Sequence, residues 1–198
     1  SVGEVMALGG NFREALQKAL RGLEMGLSGL EAPTNGEASS RRERLETLRE
    51  RLHHPSPTRL LSLYEAIGLG LSIEEANAET GVDPWFLEQM QRIVHDEALL
   101  PKRLSGLSEE TPEALAELRR LKAQGFGDRR ITTLLQGTQA ELHEEALRDL
   151  RRAHGIIPCF RAVDTCAGEF AATTPYFYST YDATSSDPPP AVSGRGPD

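Results

Sequence analysis

The chain has 198 residues, with 22 basic and 30 acidic side chains and a formal net charge of −8 at pH 7. Hydrophobic residues make up 38% of it, which is enough for one core with flanking segments and excludes disorder over most of the length. The acidic balance argues against nucleic acid or an anionic membrane as the main partner, because both bind positive surfaces.

No apolar run approaches the ~18 residues of a membrane span, and no basic start precedes an apolar stretch as in a signal peptide. The two cysteines, Cys159 and Cys166, form no disulfide framework, so we expect a reducing, cytoplasmic compartment. The chain begins at Ser1, which indicates a piece of a longer polypeptide.

The N-terminal part predicts a short strand followed by a helix. Residues 1–9 favour the strand, and the helix begins after Asn11, which has the spacing of a capping box with Glu14. Apolar residues then recur at three and four positions until a stop near Gly26, and residues 28–39 predict a solvated loop.

Helix start and stop signals repeat through the middle of the chain. At each start a side-chain oxygen can accept from an N–H of the first turn, and a proline directly after it sacrifices no hydrogen bond. The predicted starts are Ser40, Ser56, Ser72, Asp83, Thr111, Asp128 and Thr138, and the predicted stops include Gly81, Gly125 and Gly155. The prediction is a compact all-α fold of about eight short helices.

The character of the sequence changes beyond His154. Residues 156–164 favour extended structure, and six of the eleven aromatic residues fall between Phe160 and Tyr181. Residues 182–198 contain four prolines and no aromatic residue. They offer too little apolar surface to offset their ordering entropy, so we predict a disordered linker there.

A search for reactive motifs yields no catalytic and no metal site. No Walker phosphate loop occurs, and Gly68 with Gly70 follows a predicted helix instead of the strand that a dinucleotide site requires. His143 lacks a second histidine four residues later, and Cys159 and Cys166 lie too far apart for a zinc clip. The segment is therefore predicted to carry neither catalytic residues nor a cofactor.

Two helix pairs imitate a helix-turn-helix module, which offers a DNA-binding regulator as the alternative function. The first pair spans residues 70–87, and a second, slipped copy runs from Gly125 to Leu142. The helix after Asp83 would enter the major groove. Its acidic residues outnumber its one early arginine, Arg92, and would face a polyanion, so two packed helical hairpins are the better interpretation.

Three stretches together resemble the large subunit of carbamoyl phosphate synthetase. The resemblance runs over about residues 1–181, in the order and spacing of that family. The stretches are SVGEVMALG (1–9) continuing into EALQKALRGLE (14–24), then DPWFL (83–87), and finally VDTCAGEF (163–170) followed by YFYSTY (176–181).

The resemblance implies a non-catalytic oligomerisation, or connection, domain between two ATP-grasp synthetase halves. Residues 1–26 would close the carboxyphosphate-forming half, residues 27–181 would form the helical domain, and residues 182–198 the linker. The parent enzyme would use MgATP, with Mg²⁺ or Mn²⁺ and potassium, to make carbamoyl phosphate for arginine and pyrimidine biosynthesis. Its partners would be the flanking ATP-grasp domains, a glutaminase small subunit and a second copy of the chain.

The same resemblance implies roles for a few residues. Glu4 matches a glutamate beside the passage taken by the carbamate intermediate, and is the one tunnel-lining candidate. Asp164, Thr165 and Glu169 would anchor the C-terminal strand. Gly10 and Ala162 depart from the family pattern, which has basic residues at these places.

Overall fold

The computed structural model describes residues 4–32, 40–163 and 176–182. Over these ranges the chain forms eight helices and one two-stranded sheet, which confirms the all-α prediction with an extended C-terminal segment. The elements are α1 (Phe12–Gly22), α2 (Arg41–Leu52), α3 (Arg59–Gly68), α4 (Ile73–Thr80), α5 (Pro84–Arg103), α6 (Pro112–Ala123), α7 (Asp128–Leu135), α8 (Glu144–Ala153), β1 (Cys159–Val163) and β2 (Tyr176–Thr180). The predicted linker lies outside the described residues apart from Asp182.

Most of the predicted helix starts are confirmed. The capping boxes at Ser40 and Ser72 are complete. Each serine hydroxyl accepts from the backbone N–H of the third helical residue, a glutamate, and each serine backbone N–H donates to the carboxylate of that glutamate. Asp83 and Thr111 also accept first-turn N–H groups, and a proline follows each. α4 ends at Thr80 and is capped by Gly81, whose φ of +71° lies in the left-handed region that glycine tolerates.

Two predicted helix starts are wrong. α3 begins at Arg59, because Ser56 accepts the Arg59 N–H on its backbone carbonyl and closes a turn instead of capping a helix. α8 begins at Glu144, because the Thr138 hydroxyl accepts from the Ala140 N–H at 3.2 Å in a tight turn. Serine and threonine serve both turns and caps, so their spacing alone does not distinguish the two.

The N-terminal prediction is corrected in three respects. Residues 4–9 form no strand, and the carbonyl of Leu8 bonds the ammonium of Lys18 instead of a neighbouring strand. α1 ends at Gly22, before the predicted stop near Gly26. Asn11 caps α1 as expected, but the Glu14 carboxylate receives the N–H of the residue before Asn11, so the capping box is incomplete.

α5 runs through the centre of the core and packs against α1, α3, α4, α6 and α7. Along its inner face Leu87, Met90, Ile93 and Leu100 are at most 2% exposed. Each such side chain stabilises the fold by about 1.5–3 kcal/mol relative to exposure to water. The helical body, which we define as residues 40–156, is therefore organised around α5.

A buried ionic network joins α3, α5 and α7 to the loop after α1. The Arg130 guanidinium donates to both oxygens of Glu97, at 2.8 and 2.7 Å, and to Glu31 at 2.9 Å. The Tyr64 hydroxyl donates to the same Glu97. Burial and the adjacent Glu97 raise the pKa of Tyr64, which favours the protonated phenol that donates to Glu97.

A second buried network connects α6, α7 and α8. The Lys122 ammonium donates to the Phe126 carbonyl at 2.8 Å and to Asp128 at 2.7 Å, and Arg151 donates to Asp128 at 2.9 Å. Burial alone would raise the pKa of Asp128, but Lys122 and Arg151 outweigh it and lower that pKa. Both cations also lie against the ring of Tyr181, which fixes the end of the sheet to the helices.

β1 and β2 pair antiparallel, with Cys159 opposite Thr180 and Val163 opposite Tyr176. Strand residues alternate between the two faces of the sheet, so Phe160 shares a face with Phe177. The predicted extended structure is thus confirmed for residues 159–163, whereas Asp164, Thr165 and Glu169 lie outside the described residues. Among the described helices none has the length and apolar character to cross a membrane.

Candidate functional site

Glu4 lies in the segment before α1 and is exposed. Its neighbour Val5 packs so closely on α1 that a Cβ added to Gly22 would lie 2.9 Å from the Val5 Cγ2. Val5 thus holds the segment against the end of α1. The role of Glu4 in a passage stays a prediction.

The buried carboxylate of Glu14 joins the two ends of the described chain. Glu14 lies in the first turn of α1 and is 1% exposed. Its Oε2 accepts from the Gly10 N–H at 2.7 Å and from the Thr180 hydroxyl, 166 positions later, at 2.9 Å. Its Oε1 pairs with the Lys18 ammonium at 2.9 Å. Hydrogen bonds to an ionised group are among the stronger ones in proteins.

Lys18, one turn further along α1, binds the same two segments. Its ammonium donates to the Leu8 carbonyl at 2.9 Å and to the carbonyl of Ser179. The ammonium also lies 5.7 Å from the ring centroid of Tyr178. We name Glu14, Lys18 and Thr180 the chain-end junction, because these side chains hold the N-terminal segment (residues 4–10) and β2 together on α1.

α1 is also joined to the helical body through the end of α6. The side chains of Asn11, Gln17 and Arg21 donate to three consecutive carbonyls, those of residues 123–125, at 3.0, 3.0 and 2.7 Å. The last carbonyls of a helix have no partner within it, and here another helix supplies the donors. The segment assigned to a separate domain up to residue 26 thus shares extensive contacts with the helical body.

Three aromatic side chains, one half-buried and two exposed, form a cluster at the start of α1 and α5. Phe12 contacts Trp85 and Phe86 with ring centroids 5.4 and 5.1 Å apart, and Trp85 meets Phe86 edge-on at 5.0 Å. Trp85 is 51% and Phe86 42% exposed. We name these three residues the aromatic cluster. Such clusters on a protein surface are typical of interaction sites.

A second group of exposed apolar side chains lies beside the chain-end junction. The N-terminal segment exposes Val5 and Met6, β1 exposes Phe160, and β2 exposes Tyr176 and Phe177. Phe160 and Phe177 lie on one face of the sheet, and Tyr176 lies on the opposite face. Almost all other large apolar side chains of the described residues are buried or partly buried in the core.

Among the described residues no three or more His, Cys, Asp or Glu side chains are placed to hold a metal ion. That the segment carries no catalytic residues stays a prediction. Cys159 is exposed and its Sγ lies 3.4 Å from the Thr180 carbonyl, whereas Cys166 is outside the described ranges.

The structure offers no support for the DNA-binding alternative. α4 and α5 do pack against each other. However, the N-terminal half of α5 exposes Asp83 and Glu88 with Arg92, which gives no excess of positive charge for a phosphate backbone. The second pair lacks a helix directly after Gly137, because α8 begins at Glu144.

Sequence reasoning missed the chain-end junction. The sequence relates Glu14 to a helix cap, and both Glu14 and Lys18 to the helix and to the family stretch 14–24. Thr180 was part of an aromatic-rich motif. No local signal relates these residues, since the bond from Glu14 to Thr180 spans 166 positions. The signal that could have flagged Lys18 and Glu14 is their i, i+4 spacing on one helix face.

The described residues thus form a helical domain with a single core, in which α1 joins the two ends of the described chain and several apolar side chains are exposed. A family model described as carbamoyl-phosphate synthetase large chain, oligomerisation domain, matches residues 4–155. The chain therefore belongs to this family, as the resemblance in the sequence predicted.

Relatives among known proteins support the same assignment. The carbamoyl phosphate synthase large chain of Ralstonia nicotianae is 50% identical over 184 residues, which cover 92% of this chain and 15% of that protein. The large chain of Haemophilus ducreyi is 45% identical over 182 residues, again 92% of this chain and 15% of the relative. The large chain, N-terminal section, of Methanopyrus kandleri is 42% identical over 190 residues, 92% of this chain and 32% of that protein. The chain thus spans a small part of the proteins it matches.

Proposed function

We propose that this chain is the connecting and oligomerisation domain of a carbamoyl phosphate synthetase large chain, without an ATP site of its own. The observation that carries the proposal is the family match over residues 4–155. The chain-end junction supports it, because a connector between two synthetase halves must control where both of its ends leave the domain. In M. kandleri this region belongs to a protein described as an N-terminal section, which associates it with the preceding half.

The proposal extends to the parent enzyme. That enzyme would form carbamoyl phosphate from bicarbonate, ammonia and two MgATP in the cytoplasm, with ammonia supplied by a glutaminase small subunit. The flanking ATP-grasp domains would bind the nucleotides and metal ions. Residues 1–26 would continue from the first half and residues 182–198 would lead to the second.

The aromatic cluster is the surface that we propose for self-association. Trp85 and Phe86 are exposed and pack on the half-buried Phe12, and aromatic side chains are enriched at the centres of interfaces. A double variant, Trp85→Ser with Phe86→Ser, should shift the intact large chain towards smaller species in sedimentation velocity. The matched control, Met25→Ser, removes an exposed apolar side chain elsewhere and should leave the assembly unchanged. Unchanged association of the double variant would reject this surface.

For Glu4 we propose the passage role that the resemblance implies. The Glu4→Gln variant of the intact enzyme should form less carbamoyl phosphate per ATP hydrolysed, because an intermediate that meets a changed passage escapes or hydrolyses before the second step. Glu109→Gln, at an exposed turn of the helical body, is the control and should keep the normal ratio. An unchanged ratio in Glu4→Gln contradicts the role.

A further inference from the structure

Three arginine side chains share one buried carboxylate, that of Asp96 on α5. Arg120 donates to both of its oxygens, at 2.6 Å to Oδ1 and 3.1 Å to Oδ2. Arg103 donates to Oδ1 at 3.3 Å, whereas the Arg13 guanidinium lies 3.7 Å from Oδ2. Arg103 and Arg120 also pair with a second anion, Glu117. Arg13 has only the long contact with a carboxylate that two other cations already bind.

Arg92 adds a further positive charge beside Arg13. Burial lowers the pKa of Arg13, and the charges of Arg92 and Arg120 lower it further, against the opposite effect of Asp96. Arg92 is exposed, and within the described part of the chain no carboxylate pairs with its guanidinium. Arg13 and Arg92 are therefore two neighbouring cations with less negative charge around them than their own charge requires.

These two guanidinium groups line a cleft of about 570 Å³ between α1 and α5. Its other walls combine hydrogen-bonding and apolar side chains, those of Gln91, His95, Val94 and Ala98. Asp96 lines the cleft too, but arginines approach both of its oxygens. We name this space the arginine cleft. Its volume is within the range that takes a small organic molecule.

We propose that the arginine cleft binds the phosphate group of a small molecule, an activity separate from the connector function. A guanidinium is planar and presents several N–H donors that match the oxygens of a phosphate. Phosphate has more terminal oxygens than a carboxylate, and the cleft offers donors on Arg13, Gln91, Arg92 and His95. Val94 and Ala98 provide apolar contacts for the organic part of a phosphate ester.

The surrounding charges restrict the ligand to one side of Arg92. On its other side, a second cleft between α4 and α5 contains the carboxylates of Glu74 and Glu88, which repel an anion. The whole chain carries a net charge of −8, so it does not attract anions in general. Binding of phosphate by this chain is therefore expected at the arginine cleft and not over its surface as a whole.

The test is an NMR titration of the purified chain with inorganic phosphate, at an ionic strength held constant with sodium chloride. The Nε resonances of Arg13 and Arg92 should shift and saturate, with half-saturation at about 1 mM for a small anion held by a few charged hydrogen bonds. The resonance of Arg129, an exposed arginine of α7 outside the cleft, should shift little. Shifts that do not saturate, or equal shifts at Arg129, indicate diffuse counter-ion binding and would overturn the inference.

A variant of the exposed arginine tests the site itself. Arg92→Gln should weaken phosphate binding by about tenfold, because it removes one of the two guanidinium groups that face the ligand. Its thermal unfolding should match that of the wild type, since Arg92 is exposed and forms no ion pair with the described residues. Arg129→Gln is the matched control and should bind phosphate normally. Unchanged affinity of Arg92→Gln would reject the site.

A second anion tests the class of ligand. Acetate carries a carboxylate with two oxygens, and should bind the wild-type chain several-fold more weakly than phosphate under the same conditions. Equal affinity for acetate and phosphate would overturn the assignment of the arginine cleft to a phosphate group. Neither result depends on whether the aromatic cluster mediates self-association, which sedimentation measures separately.

Discussion

In the helical body the principal contacts are apolar and lie along α5, whereas at the chain-end junction they are charged and join residues up to 166 positions apart. Leu87 and Ile93 are fully buried in the body by several helices. Glu14 is as well buried as these two side chains, but its carboxylate accepts from the Gly10 N–H and the Thr180 hydroxyl and pairs with the Lys18 ammonium. Burial of apolar surface therefore stabilises the helical body. The geometry of the chain-end junction is set by hydrogen bonds and an ion pair, which require particular distances and angles.

The largest expected effect comes from the buried triad of Lys122, Asp128 and Arg151, which bridges α6, α7 and α8. Asp128→Asn leaves the buried Lys122 and Arg151 without their anion, and should lower the free energy of unfolding by about 3–5 kcal/mol. Urea unfolding of the purified chain measures this change in the free energy of unfolding. Asp149→Asn, at an exposed carboxylate of α8, is the control and should change stability little. A loss below about 1 kcal/mol would show that the pairing of Asp128 with Lys122 and Arg151 contributes little to the stability of the helical body.

The same carboxylate predicts a pH dependence. Because Lys122 and Arg151 lower the folded pKa of Asp128 below its unfolded value, its contribution is complete above about pH 4 and is lost as the pH falls through the folded pKa. The wild-type chain should therefore lose more stability between neutral and strongly acidic pH than Asp128→Asn does. Urea unfolding at several pH values measures this difference. An equal loss of stability with falling pH in both proteins would contradict the lowered pKa of Asp128.

The next effect tests the contact between the body and α1. Gly125 has φ +90°, and a Cβ there would lie 2.7 Å from the Glu14 Cα, so Gly125→Ala should cost about 2–4 kcal/mol. Gly137→Ala is the matched control, since Gly137 also has positive φ but no atom within 4 Å of the added Cβ. It should cost only about 1 kcal/mol. Equal losses, measured by thermal unfolding, would show that the close approach to α1 is unimportant.

A smaller and more local effect is expected at the chain-end junction. Lys18→Met removes the donor to Leu8 and Ser179 and leaves Glu14 without its ammonium partner, and should cost about 1–2 kcal/mol. Amide hydrogen exchange in β2 should accelerate more than exchange in α5. Lys102→Met, at an exposed position near the end of α5, is the control. Equal acceleration of amide exchange in β2 and α5 would show that Lys18 stabilises the whole domain and not the chain-end junction in particular.

The smallest effect separates a true cap from a false one. Ser72→Ala removes the acceptor for the Glu75 N–H and should cost about 1 kcal/mol. Ser56→Ala, at the helix start that the sequence predicted wrongly, should change stability by less than about 0.5 kcal/mol, because the turn there uses the Ser56 backbone. Similar losses at both positions in thermal unfolding would mean that Ser56 caps α3 in solution.

The predictions that succeeded concern interactions between near neighbours. Ser40, Ser72, Asp83 and Thr111 cap their helices because each cap needs only the following three residues. The helix start predicted at Thr138 was wrong because local spacing does not distinguish a cap from a turn. The Thr138 hydroxyl accepts from the backbone N–H two residues ahead and closes a turn. The strand expected over residues 1–9 failed over residues 4–9 because a strand requires a neighbour, which a single segment cannot specify.

The sequence by itself determined the eight helices, most of their ends, the extended segment after α8 and, through its motifs, the family. The tertiary structure alone decided that α1 supplies donors to the end of α6, and that Glu14 and Lys18 bring the N-terminal segment beside β2. The physical reason is the range of the interactions. Capping and helical periodicity act within a few residues, whereas the partner of a buried charge is chosen by the fold that brings it within hydrogen-bond distance.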